Sequence, residues 1–181
     1  MGRMDLVVRS SRVVLPEGVR PAAVVVSAGR IERVAPLDAA LDAAVEIDAG
    51  DSVVMAGLVD THVHVDDPGR TEWEGFETAG RAAAAGGTTT IVDMPLNSSP
   101  VTTTVAALRA KLVAAEGACR VDYGLWGGIV PGNLSDLPAL LDAGALGFKA
   151  FLVPSGIEEF PPVDDAMLGA AMGRTTSLSL V

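Results

Sequence analysis

From residue 53 onward the chain alternates β-branched runs with helical stretches, and that alternation leaves few ways to fold. Strand-like runs occupy 53–59, 88–92, 121–126 and 147–153. Between them, Thr71 and Glu74 form a capping box that predicts a helix running through Phe76 and the alanines at 82–85 to Gly86-Gly87. Val105, Leu108 and Leu112 share one helical face ahead of Gly117, and Leu137, Leu140 and Leu141 mark a third helix ending at Gly144. Four strands joined by helices with short connections imply a parallel sheet or barrel. A closed (β/α)₈ barrel takes about 250 residues, and the α/β portion here stops after about half of that. The expected fold class is therefore α/β, with residues 54–172 forming a parallel sheet or the first half of a barrel in a chain that looks incomplete. Residues 173–181 interrupt a fourth helix that begins near Asp164, and they are expected to be an aberrant tail without a fifth strand.

The first 53 residues have a different texture. Apolar runs at 6–8, 13–15, 23–26, 31–34 and 45–47, with an Ala28-Gly29 turn between two of them, predict a small all-β module.

Composition excludes several functions. A formal net charge of -10 with no arginine cluster argues against nucleic acid, which needs a basic patch. No stretch approaches the roughly 20 apolar residues of a membrane helix. The N-terminus enters β-like sequence without a secretory h-region, and Leu6 stands where a myristoylation pattern needs Ser or Thr. The single Cys119 rules out an intrachain disulfide, so a cytoplasmic protein is expected.

The chain's only two histidines, His62 and His64, fall together at the end of the apolar run 53–59. Side chains two apart on a strand point to one side, so both imidazoles can reach one metal ion. The plainer reading is a pair of polar strand-end residues bonded to loops. Position favours the metal, because active sites in α/β folds form at the C-terminal ends of strands. A catalytic zinc normally takes three protein ligands, so more must come from elsewhere. Asp66 shares the parity of the pair only if the strand continues toward the Pro68-Gly69 turn.

Lys149 lies inside the last apolar run, and Lys111 is the only other lysine. A lysine so placed snorkels, pairs with a carboxylate or gives up its charge, since burying an ammonium costs several kcal/mol. Desolvation can leave a neutral amine able to react with carbon dioxide, and the carbamate is an anionic ligand. Asp93 and Asn97 end the second strand on the same side but read as loop caps. Glu72, Glu74, Glu77, Glu158 and Glu159 read as solvated charges, and Trp73, Trp126 and Tyr123 as packing.

With these residues in place, the chain resembles the cyclic amidohydrolases, and most closely their allantoinase branch, over residues 4 to 172. The resemblance rests on Gly57-Leu58-Val59-Asp60-Thr61-His62-Val63-His64, on the block from Pro68 to Thr78, on Asp93-Met94-Pro95-Leu96-Asn97-Ser98 and on Gly147-Phe148-Lys149-Ala150-Phe151-Leu152. The H-x-H strand marks only the superfamily; the second and third blocks are particular to the branch. The resemblance implies a metal-dependent (β/α)₈ barrel beside a β-sandwich built partly from the N-terminus. It implies that His62 and His64 bind one of two divalent ions, most simply zinc, with carbamylated Lys149 bridging both. It also implies hydrolysis of the hydantoin ring of allantoin to allantoate in purine catabolism, with Asn97 facing the substrate, and a homo-oligomer at full length.

Two further histidines and an aspartate that this family places on later strands are not in this sequence, so the chain is expected to be a truncated, inactive fragment. Three alternatives stand beside that reading. One is a dihydropyrimidinase, hydantoinase or dihydroorotase with the same centre, and another is a non-catalytic protein of the same fold. A third is the H-x-H-x-D-H pattern of metallo-β-lactamases, which Asp67 breaks where histidine is needed.

Overall fold

The computed structural model describes residues 4–175 and the backbone of residues 179–180. The chain divides into two units, at Met1–Ala56 and Gly57–Val181. In the first, β1 (Met4–Leu15) and β2 (Gly18–Ser27) form an antiparallel hairpin, and β3 (Arg30–Ala35) adds antiparallel to β2. On the other side of β1, β4 (Ala43–Asp48) and the two-residue β5 (Val53–Val54) pair in parallel. Val7, Ala23, Val25 and Ala35 make its core. The two short runs expected at 6–8 and 13–15 are one strand, broken only by a register shift between Ser10 and Val13.

The boundary expected after residue 53 falls after Ala56 instead. Val53 and Val54 hydrogen-bond to β1, so the apolar run ending in the histidines is two strands of different sheets and not one. Apolar content alone cannot reveal that change of partner.

The second unit begins with β6 (Leu58–Val63), followed by α1 (Phe76–Ala85), β7 (Thr88–Asp93), α2 (Val105–Ala115), β8 (Asp122–Leu125) and β9 (Gly127–Gly128). Then come α3 (Leu137–Asp142), β10 (Phe148–Lys149), α4 (Asp165–Met172) and β11 (Ser179–Leu180). Parallel pairing follows chain order through β6, β7 and β8, and again through β9, β10 and β11. The expected third strand is interrupted at Trp126. Its N–H donates to Asp93 O at 2.9 Å, while Leu146 N–H donates to Leu125 O at 2.9 Å, so the two sheets run on from one another. Close approach explains the glycines here: a Cβ on Gly127 would stand 2.7 Å from the Phe148 ring.

The helices cover the sheet with Phe76, Leu108, Leu137 and Leu140, which pack on Ile91, Leu125, Ile129 and Phe148. A second cluster lies beyond the strand ends, where Val92, Met94, Leu96, Val101, Trp126 and Phe160 come together.

Two expectations are corrected. The helix assigned to Thr71 and Glu74 starts at Phe76, with Gly75 as its N-cap and no side-chain cap bond. Residues 70–73 form a turn in which Trp73 N–H donates to Arg70 O, and Glu74 instead accepts from the Thr78 hydroxyl. Side-chain caps stand elsewhere: Thr104 Oγ1 accepts from Ala107 N–H at 3.2 Å in α2, and Asp164 Oδ1 accepts from Met167 N–H at 2.8 Å in α4. At the far end, the backbone of Ser179–Leu180 pairs with Phe148–Lys149, a short fifth strand where the sequence shows no strand pattern. The open edge of β10 supplies hydrogen-bond partners that do not depend on side-chain alternation. Residues 176–178 and 181 of the expected tail lie outside the described residues.

Because Thr104 caps its helix and Thr71 does not, Thr104→Ala is expected to cost about 1 kcal/mol. Thr71→Ala should stay within about 0.5 kcal/mol of the parent. Urea unfolding followed by tryptophan fluorescence distinguishes them, and equal losses would contradict the capping assignment.

Candidate metal centre

His62 ends in β6 and His64 follows it by one residue, with ring centroids 5.6 Å apart. The β6–β7 ladder shifts register between Asp60 and Val63, so the histidine segment leaves the regular pleat. It is held there by other bonds. Val63 O accepts from Met94 N–H at 2.8 Å, and Thr61 O accepts from the indole Nε1 of Trp126 at 2.9 Å.

Lys149, on β10 of the other three-stranded sheet, reaches the same place. Its Nζ lies 3.4 Å from His62 Nε2 and 5.0 Å from the centre of the Phe151 ring. Among the described residues it forms no ion pair with a carboxylate. Burial holds its pKa below the ordinary lysine value. Of the three outcomes open to a lysine in an apolar strand, pairing with a carboxylate is thus not the one found among the described residues.

The pKa of His64 is also lowered, first by burial and then by the positive charges of Lys149 and His62, with Asp66 opposing. Its Nδ1 lies 3.4 Å from the Asn97 amide nitrogen. Asn97 adopts a left-handed conformation with φ 70°, as Asp66 does with φ 64°; these residue types tolerate that region better than most. The loops that follow β6 and β7 thus turn sharply beside the imidazoles.

His62, His64 and Lys149 are brought together as the sequence suggested, and Asn97 joins them. Asp66 does not complete the group: among the described residues, no three His, Cys, Asp or Glu side chains converge on one point. Its Oδ1 is instead buried without a hydrogen-bond partner. Trp126 and Tyr123 pack, the latter against Phe76 with centroids 5.8 Å apart, but Trp73 is 62% exposed beneath the Arg70 guanidinium.

Asp93 is more than a loop cap, and Lys111 was missed. Both are 1% exposed, and Lys111 Nζ lies 2.6 Å from Asp93 Oδ2. Burial pushes the Asp93 carboxyl up, while Lys111 and the Val65 N–H pull it back. Helical spacing carries a signal for this lysine, because Lys111 shares the buried face of α2 with Ala107, Leu108 and Ala115.

The donor set fits a divalent ion. Two imidazoles and an amine gather without a counter-anion between them, and desolvation favours the neutral forms that metals bind. Residues 53–156, more than half the chain, match the Amidohydrolase family. An allantoinase of Streptomyces avermitilis is 58% identical over 175 residues, covering 96% of this chain and 39% of that protein. A probable allantoinase 2 of Dictyostelium discoideum is 62% identical over 125 residues, covering 68% and 24%. Among solved structures, the L-hydantoinase (dihydropyrimidinase) of Arthrobacter aurescens superposes with a TM-score of 0.86 at 36% identity, covering 93% of this chain and 37% of that one. The chain thus spans about two fifths or less of the length of these relatives, and its parallel α/β unit corresponds to part of a barrel enzyme.

The lowered His64 pKa sets a pH dependence. Below about pH 6.5 the unfolded chain binds a proton that the folded one resists, so this stability is intact above that value and declines as pH falls toward the folded pKa. His64→Gln should therefore lose less thermal stability than the parent between about pH 7.5 and about pH 5.5. Equal losses in both proteins would show that the fold does not disfavour His64 protonation.

Proposed function

The chain belongs to the Amidohydrolase family, and on that premise we propose that the protein of which it forms a part opens the hydantoin ring of allantoin to allantoate in purine catabolism. The observation that carries this reading is the approach of Lys149 Nζ to His62 Nε2, in a group with no carboxylate of its own. His62 and His64 would hold a divalent ion, most simply zinc, and Lys149, carbamylated by carbon dioxide, would bridge to a second. When bound, such a pair supplies Lewis acidity toward water and toward the amide carbonyl.

The chain's own residues prepare that chemistry. Burial keeps His64 and Lys149 toward their neutral forms, so less proton release is needed to bind a cation and carbon dioxide. Asn97, beside His64, presents an amide toward the same space and is placed to hydrogen-bond a ureide. In the overall reaction, oxygen from water bonds to the ring carbonyl carbon, the carbon–nitrogen bond breaks, and the departing nitrogen takes a proton. The product is a carboxylate bearing two ureido groups, the one allantoin already carries and the one released from the ring.

Metal dependence is general in the family, which agrees with the donor set. A cytoplasmic setting and a homo-oligomer at full length belong to the same proposal; a single half-buried cysteine suits a reducing compartment. No helix among the described residues is long and apolar enough to cross a membrane.

A second reading rests on the hydantoinase and dihydropyrimidinase likenesses, which share this site's framework at lower identity. Substrate rates separate the two. At the relatives' full length, the protein is expected to turn over allantoin faster than dihydrouracil, and the reverse order rejects the allantoin assignment. Lys149→Ala should lower kcat at least about a hundredfold, or about 2.7 kcal/mol of barrier, with reduced bound metal. Undiminished metal content in that variant would count against the bridging role.

A further inference from the structure

The segment carrying both imidazoles leaves the regular β6–β7 ladder at the register shift between Asp60 and Val63, so something else must fix where His64 stands. The residue after it, Val65, is fully buried and donates its N–H to Asp93 Oδ1 at 2.8 Å. The other carboxylate oxygen of Asp93 accepts from Lys111 Nζ at 2.6 Å, and Lys111 also donates to Met94 O at 2.9 Å. Met94 closes the loop by donating to Val63 O. One side chain from α2 and one from the end of β7 thus bracket the histidine segment on both sides of His64.

A buried ion pair is weak evidence of stabilisation, since well-packed apolar residues of similar volume often do as well or better. What apolar residues cannot do is accept a hydrogen bond from Val65. A lone Asp93 could accept it only as an uncompensated buried anion, and Lys111 removes that cost while fastening the carboxylate in one orientation.

We propose that Asp93, neutralised and oriented by Lys111, is a positioning residue that places the His64 imidazole by holding the Val65 amide. The link to metal affinity rests on the metal reading above; the placement of the imidazole does not. Partners that orient a metal ligand typically change affinity about 10- to 100-fold when removed.

The test uses two double variants of the 181-residue chain. D93N/K111M removes both charges but keeps an acceptor for Val65, whereas D93L/K111M removes the acceptor at similar volume. Two readouts follow: the imidazole ¹H–¹⁵N signals of the metal-free protein, assignable because there are only two histidines, and the Kd for Co(II) from its visible absorption. D93N/K111M is expected to keep the His64 signals and a Kd within about threefold, small beside the effect expected of losing an orienting partner. D93L/K111M, melting as the parent does, should displace the His64 signals and weaken Co(II) at least about tenfold. A D93L/K111M protein that melts normally and keeps both readouts overturns the proposal. If that variant does not fold, hydrogen exchange in the parent decides: a Val65 amide exchanging as fast as an unprotected one is equally fatal, and a protected amide that opens no faster in D93N/K111M supports it. A parent chain that takes up no Co(II) sinks the metal reading alone, leaving the imidazole signals to judge the positioning role.

Discussion

The α/β unit is organised around one buried ion pair, Lys111 with Asp93. Three elements that are far apart in sequence meet there: α2, the C-terminal end of β7, and the segment that follows β6. Each oxygen of the carboxylate and at least two donor directions of the ammonium are used within the protein. Such satisfaction is what makes a buried charge tolerable, because an ion pair in a low-dielectric interior depends on its further hydrogen bonds to offset lost hydration. Around it, Trp126 has two contacts of different kinds: its ring fills one apolar cluster, and its Nε1 donates to the carbonyl of Thr61.

The chain contains two lysines, and the fold treats them in opposite ways. Lys111 is almost wholly enclosed and remains compatible with its charge because Asp93 stands against it. Lys149 is less deeply placed but has an imidazole nitrogen and an aromatic face as neighbours, with no carboxylate to stabilise an ammonium. Burial lowers its pKa. Only the second environment has, among the described residues, no carboxylate within ion-pair distance to hold an amine in its protonated form. Chemical identity alone does not distinguish these roles; the charges within a few ångströms do.

Much of the framework was legible because it depends on local pattern. Alternating β-branched runs and helical faces implied parallel β/α order, and the H-x-H at a strand end, with a lysine in a later apolar strand, implied where donors would gather. The boundary between the units was not legible, because Val53 and Val54 are apolar whether they pair with β1 or lead into β6. The apparent capping box at Thr71 failed for a related reason: its residue types suit an N-terminus, but the chain there is still turning after Pro68 and Gly69, and the helix waits for Phe76 to reach the core.

By itself, then, the sequence determined the order of elements, the likeness to the amidohydrolases and the candidacy of His62, His64 and Lys149. Each of these follows from residue type and short-range spacing. Only the tertiary structure decided that Lys111 pairs with Asp93, that Asp66 forms no three-residue cluster with the histidines and leaves a buried oxygen unpartnered, and that Ser179–Leu180 joins the edge of β10. Those outcomes turn on which groups remain to satisfy one another once water is excluded, and the groups concerned are brought together by chain folding across tens of residues.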